Sequence, residues 1–236
     1  MTRHQTLAER LLLLSIPTTD PKKKRTPFSN QPGNLDFTLQ AALLVELVQS
    51  GHVAVVPSRG VLVGETFTLQ QSGYRPTGSA PLDALLARVA NPRNARKTLQ
   101  NWLIGGDATR LVKADLVERG ILAEHYDTFG PFVRNYRAVP VEPAAHAALR
   151  DDFEDVFLRD REPAQSDNAI AALLVSGDAW EHVEPVEGTP GMAHFFERLR
   201  DLSDRYRPES SPGQDARGVT RVLAALARVN APSSGH

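Results

Sequence analysis

The residues on which metal or acid–base chemistry would be built are scattered. His4, His52, His125, His146, His182, His194 and His236 form no H-E-x-x-H pair and no zinc-ligand spacing. His194 and Glu197 stand three apart, a spacing that can bind a metal from one helix face; with no third ligand, a surface hydrogen bond is expected instead. Asp151, Asp152, Glu154 and Asp155 cluster without the glycine-turned loop of a calcium site. Ser72 and Ser176 each precede a glycine, but neither lies in the G-x-S-x-G of a nucleophile elbow. Gly105-Gly106 is too small a glycine cluster to cradle a phosphate and is expected to separate two helices. With no cysteine there is neither a disulfide nor a thiolate metal site. One carboxylate stands out: Glu46 sits in the most apolar run of the chain. Its burial requires an arginine, a lysine or backbone N–H groups as partner. A structural pairing is the expectation. Binding fits these residues better than catalysis, and no cofactor is called for.

Charge points the same way. The 27 basic and 28 acidic side chains leave a net charge of −1, which argues against a nucleic-acid binder. The distribution is uneven. Lys22, Lys23, Lys24 and Arg25 form a basic run, and Arg88, Arg93, Arg96, Lys97, Arg110 and Lys113 follow mid-chain. Acids dominate from Glu142 to Glu187. A molecule with one basic and one acidic end orients on an anionic surface while staying neutral overall. The plain alternative is a set of solvated helix faces. No stretch approaches the ~20 apolar residues of a membrane span. The leucines at 11–14 lack a cleavage site, so no signal peptide is read and the cytoplasm is the default location.

The elements that must position these groups are mostly helices. Thr6 with Glu9 makes a capping box for a helix over 7–14. Prolines 17, 21, 27 and 32 exclude regular structure from the loop carrying the basic run. A helix over 37–49, apolar nearly all round, should be the central buried one, ending at Gly51. Residues 52–56 and 61–63 read as a short hairpin. Helices are expected over 82–89, 98–104 and from Asp107 to Gly120, then a longer hairpin over 121–140. Further helices are expected over 144–158, 167–183, 193–206 and 219–229. The fold class is mainly α: a single helical domain over 1–230 with small β-hairpins and a disordered tail at 231–236. Its core should unite Leu39, Leu43, Leu44, Leu47, Leu86 and Leu116.

Five motifs in order carry a resemblance: LAERLLLL at 7–14, LQAALLVEL at 39–47 with GHV at 51–53, PTGSAPLD at 76–83, LQNWL at 99–103 and LVERGIL at 116–122. Together they resemble the Golgi phosphoprotein 3 family, whose bacterial members are soluble homologues of a Golgi lipid-binding adaptor. The resemblance implies a mostly helical fold, no enzymatic activity, and peripheral binding to membranes bearing phosphatidylinositol 4-phosphate. In the family the headgroup is held by a loop tryptophan, an arginine on the central helix, and an R-x-x-R pair. Those positions fall here near Gln31, on Gln40, and on Gly106 and Thr109, so all four differ.

The resemblance therefore implies an anionic phospholipid surface as partner, with Lys22, Lys23, Lys24, Arg25, Gln40, Arg110 and Lys113 as the residues nearest its lipid contacts. The hairpin over 121–140 corresponds to one associated with membrane contact and self-assembly, so a homo-oligomer is an expectation. Phe129 and Phe132 at its tip are the candidate contact residues. The leading reading is a non-enzymatic, cytoplasmic, peripheral membrane adaptor. The alternative is a protein-interaction or regulatory module that keeps the fold without lipid binding. A winged-helix nucleic-acid binder, suggested by the helix–strand junctions at Gly51 and Gly120, fails on charge.

Overall fold

The computed structural model describes residues 5–16, 34–58, 66–73, 75–129, 133–183, 192–208 and 216–231, with backbone alone for 126–129 and 133–137. The basic run 22–25, Gln31, Phe132 and residues 232–236 lie outside the described residues, as does the side chain of Phe129.

Helix α1 (Leu7–Leu14) opens with the expected capping box. Thr6 Oγ1 accepts from the Glu9 N–H at 3.1 Å, and the Thr6 N–H reaches Glu9 Oε2 at 3.4 Å. Glu9 is fully buried, and its other oxygen takes Arg119 Nη1 at 2.8 Å, so the box also ties α1 to a distant helix end. Helix α2 (Asn34–Gln49) begins three residues before the expected start. Asn34 is held from two sides: its carbonyl accepts from Thr38 Oγ1 at 2.5 Å, and its amide donates to the Asp178 carbonyl at 3.0 Å. Leu39, Leu43, Leu44, Leu47, Leu86 and Leu116 share one core, as their spacing predicts.

Gly51, at φ 71°, turns the chain into β1 (Val53–Pro57), which pairs antiparallel with β2 (Phe67–Gln71). The expected second strand at 61–63 lies outside the described residues, and β2 starts further on. Its register of Val53 against Gln71 buries Leu69, and Thr68 adds a bridge to Thr98. β2 begins ten residues past the end of β1, where the strand places Leu69 in the core.

Helix α3 (Ala80–Ala90) follows a turn in which Asp83 Oδ1 accepts from the Thr77 N–H at 2.7 Å and Thr77 Oγ1 at 2.8 Å. A 3-10 turn, Pro92–Asn94, leads to α4 (Leu99–Ile104) and α5 (Ala108–Glu118). Gly120 at φ 68° then starts the hairpin of β3 (Leu122–Phe129) and β4 (Val133–Pro140), paired from Leu122 with Pro140 to Phe129 with Val133. Helix α6 (Pro143–Phe157) closes the C-terminal end of α1. His146 Nε2 donates to the Leu13 carbonyl at 2.8 Å, and Arg150 Nη1 to the Leu14 carbonyl at 2.8 Å.

Helix α7 (Gln165–Gly177) ends six residues short of the expected 183, because Asp178 adopts the left-handed conformation and the chain continues as a 3-10 turn, Trp180–His182. At Gly177 a Cβ would lie 2.0 Å from Thr38 Oγ1, so the glycine sets how closely α7 crosses α2. Helices α8 (Met192–Arg205) and α9 (Ala216–Asn230) complete the shell, with α9 against both α2 and α4. The fold is mainly α with two small antiparallel hairpins, as the sequence predicts. Among the described residues no helix is long and apolar enough to cross a membrane.

Candidate functional site

Gln40, Gly106 and Thr109, onto which the resemblance carries the family's arginines, lie together where α2 meets the α4–α5 junction. Gln40 is fully buried on α2, and neither atom of its amide has a hydrogen-bond partner. It lies directly against Gly106, where a Cβ would stand 2.3 Å from Gln40 Oε1. One turn earlier on α2, Asp36 Oδ1 accepts from both the Thr109 N–H at 2.9 Å and Thr109 Oγ1 at 2.7 Å. Thr109 is the second residue of α5, so a carboxylate of the protein itself occupies the positive end of that helix. Asp107 at the N-cap makes no side-chain cap. Its carboxylate goes to Arg88 Nη1 at 2.6 Å and to Arg110.

Buried amide groups without partners cost about 1–3 kcal/mol. Gln40→Met, which keeps the shape and removes the polar atoms, is therefore expected to raise stability by about 1 kcal/mol. Chemical denaturation would register it as a higher midpoint at unchanged slope.

Outward from this buried pair lies a cationic surface. Arg88 Nη2 donates to the Gly105 carbonyl at 3.2 Å, and the Arg88 guanidinium stands 5.7 Å from the centre of the Trp102 ring. Lys97 Nζ lies 4.6 Å from that ring centre and would be 3.2 Å from a Cβ on Gly105. Partial burial and the neighbouring Arg88 lower the Lys97 pKa. Among the described residues no carboxylate pairs with Lys97. Arg93 and Arg96 are exposed on the segment leading into α4, and Arg110 is 70 % exposed on α5. Lys113, half-buried, has its pKa lowered by burial, against the attraction of Glu124. At the C-terminal end of α4, Ile104 is 55 % exposed.

Of the residues singled out in the sequence, Gln40 and Arg110 come to this junction, one inside and one outside. Asp36, Lys97 and Ile104 were missed as site residues. Lys97 was visible as part of the basic middle of the chain. Nothing in the sequence marks Asp36 as the cap of a helix 73 positions later.

Glu46 finds the third kind of partner anticipated for it. The Leu7 N–H donates to its Oε1 at 2.9 Å, and Oε2 is buried without a partner. Burial raises its pKa to about 7, with the Leu7 N–H opposing and nearby Glu9 adding to the rise. Glu46 and His52 line a cleft of about 1230 Å³ between α2, α3, α6 and α7. Four other charges in that cleft form ion pairs: Arg10 meets Asp167 at 3.0 Å, and Arg161 meets Asp152 at 2.6 Å. His194, the metal candidate on α8, faces Asp160 at 3.3 Å. No group of three potential metal ligands occurs among the described residues.

A family model described as Golgi phosphoprotein 3 (GPP34) matches residues 7–229. Comparison with curated proteins returns no match.

Proposed function

The chain belongs to the Golgi phosphoprotein 3 family, and from that premise we propose a non-enzymatic peripheral adaptor that meets anionic membranes by surface charge. The observation that carries this reading is the pairing of an internally filled headgroup position with an excess of cations over carboxylates outside it. Asp36 sits on the α5 N-terminus and Gln40 fills the space over Gly106, so a phosphate arriving there would meet a carboxylate and an uncharged amide. Beside them Arg88 and Arg110 share a single carboxylate, Asp107, and Lys97 pairs with no carboxylate among the described residues. That excess attracts any anionic headgroup without reading its stereochemistry.

In this reading the run Lys22, Lys23, Lys24 and Arg25 adds to the same attraction, with Lys113 and Gln40 at its margin. The hairpin 121–140, through Phe129 and Phe132, supplies membrane or self-contact. Protein partners bind the membrane-attached form, and the molecule acts at the cytoplasmic side of its membrane. Each lysine or arginine near an anionic bilayer contributes about 1 kcal/mol. Neutralising Lys97 and Arg110 to Gln together should then weaken attachment to phosphatidylserine vesicles by about 2 kcal/mol, roughly 30-fold. Neutralising all four residues 22–25 should abolish flotation at low salt. Flotation unchanged by both sets would refute a charge-driven attachment.

A further inference from the structure

The basic junction holds an apolar group that the charge argument leaves unused. Ile104 is the most exposed of the three large hydrophobic side chains that stand open among the described residues, at 55 % against 50 % for Val141 and 40 % for Val175. Its setting is specific. Asn101 and Ile104, three apart, share the exposed side of α4, while Leu99, Trp102 and Leu103 are buried beneath them. The next residue is Gly105, and its missing side chain leaves room for Lys97 Nζ, which would lie 3.2 Å from a Cβ there. Arg88 holds the Gly105 carbonyl from the other direction, and Arg110 joins through Asp107. On the far side, α9 packs against α4 along a shallow groove lined by Gln100, Arg221 and Arg228. Arg228 is exposed and forms no ion pair among the described residues.

We propose that Ile104 is an apolar anchor that enters the interface of an anionic bilayer, with Lys97, Arg88 and Arg110 placed around it to meet the headgroups. This rests on the membrane reading above. Charge complementarity selects the occupant. An apolar protein groove would have to desolvate the surrounding cations, whereas an anionic bilayer offers hydrocarbon to the isoleucine and negative charge to its neighbours at once. The Lys97 ammonium lies over the face of Trp102, 4.6 Å from the ring centre, and the side chain stays partly exposed, so its charge is open to headgroups beside Ile104.

The test uses the full chain and vesicles of equal parts phosphatidylserine and phosphatidylcholine. Ile104→Ser should lower partitioning roughly tenfold, the loss expected for withholding a partly exposed isoleucine from hydrocarbon. Its salt dependence and melting temperature should match wild type, since no charge and no core contact changes. Ile104→Trp should bind at least as well as wild type. Its added emission should move to the blue on vesicle binding and be quenched by bromine on the acyl chains. Wild-type flotation with an equally buoyant Ile104→Ser, or an Ile104→Trp emission that bromine leaves untouched, would overturn the anchor and leave the charge-driven attachment standing. A change in monomer–dimer balance in place of vesicle partitioning would assign Ile104 to self-contact and equally overturn it. Failure of the wild-type protein to float would remove the membrane reading itself.

Discussion

Glu46→Gln is expected to stabilise the protein by about 1–3 kcal/mol at about pH 8 and to have almost no effect at about pH 4. The carboxyl has one partner, the Leu7 N–H, and its second oxygen is buried without any. Among the described residues no cation pairs with it, and burial together with Glu9 raises its pKa to about 7 from 4.5. Between those two values the folded state keeps a proton that the unfolded state gives up, so the stabilising contribution of Glu46 is complete below 4.5 and is lost as pH rises towards 7. Glutamine keeps an acceptor for Leu7 and has no charge to desolvate. The full shift would correspond to roughly 3 kcal/mol, and partial exposure of the side chain reduces it. Urea midpoints for both proteins at the two pH values measure the difference. A loss of stability in Glu46→Gln at the higher pH would mean that an ionised Glu46 has a cationic partner after all.

Gly106→Ala is expected to cost about 1–3 kcal/mol, and Gln40→Ala in the same chain to return much of that loss. The new methyl would lie 2.3 Å from Gln40 Oε1, 2.6 Å from Cδ and 2.8 Å from Cγ. A flexible surface glutamine would swing away. Gln40 is fully buried on α2, where close packing restricts its rotation. The two positions are thus coupled: a long side chain from α2 occupies what the glycine leaves. A double-mutant cycle read by chemical denaturation reports the coupling directly. Strictly additive losses would show that Gln40 does not obstruct the alanine, and the filled headgroup position would lose its structural basis.

Local chemistry made most of the fold legible. Thr6 and Glu9 announce α1, the run 39–48, apolar but for Gln40 and Glu46, announces a buried helix, and Gly51 and Gly120 take the positive φ values that end helices. The errors arose where distant contacts override local signals. The start of α2 depends on Asp178, far along the chain, and β2 is placed by the burial of Leu69 instead of by the turn-like residues before it. The C-terminal end of α7 is set by a left-handed aspartate, for which composition gives no warning. The site was legible in half. Carried over by resemblance, the family's arginines fall on the uncharged Gln40, Gly106 and Thr109. Only three-dimensional packing shows what replaces them: Asp36 on the first turn of α5, Gln40 against Gly106, and Lys97 beside Arg88 over Trp102. Motifs record which residues changed, and tertiary contacts determine whether the space they left is open.

The central claim is that attachment follows surface charge and not headgroup identity. Flotation of the wild-type protein decides it, using vesicles of phosphatidylserine and of phosphatidylinositol 4-phosphate matched in surface charge, at low and high salt. The account predicts equal binding to both at low salt, fading in parallel as salt shortens the screening length below the ~10 Å found at about 0.1 M. Selective binding to phosphatidylinositol 4-phosphate that persists at high salt would contradict it and require a rebuilt pocket. Binding to neither would also contradict it, and would leave an interaction module that keeps the family's fold without its membrane.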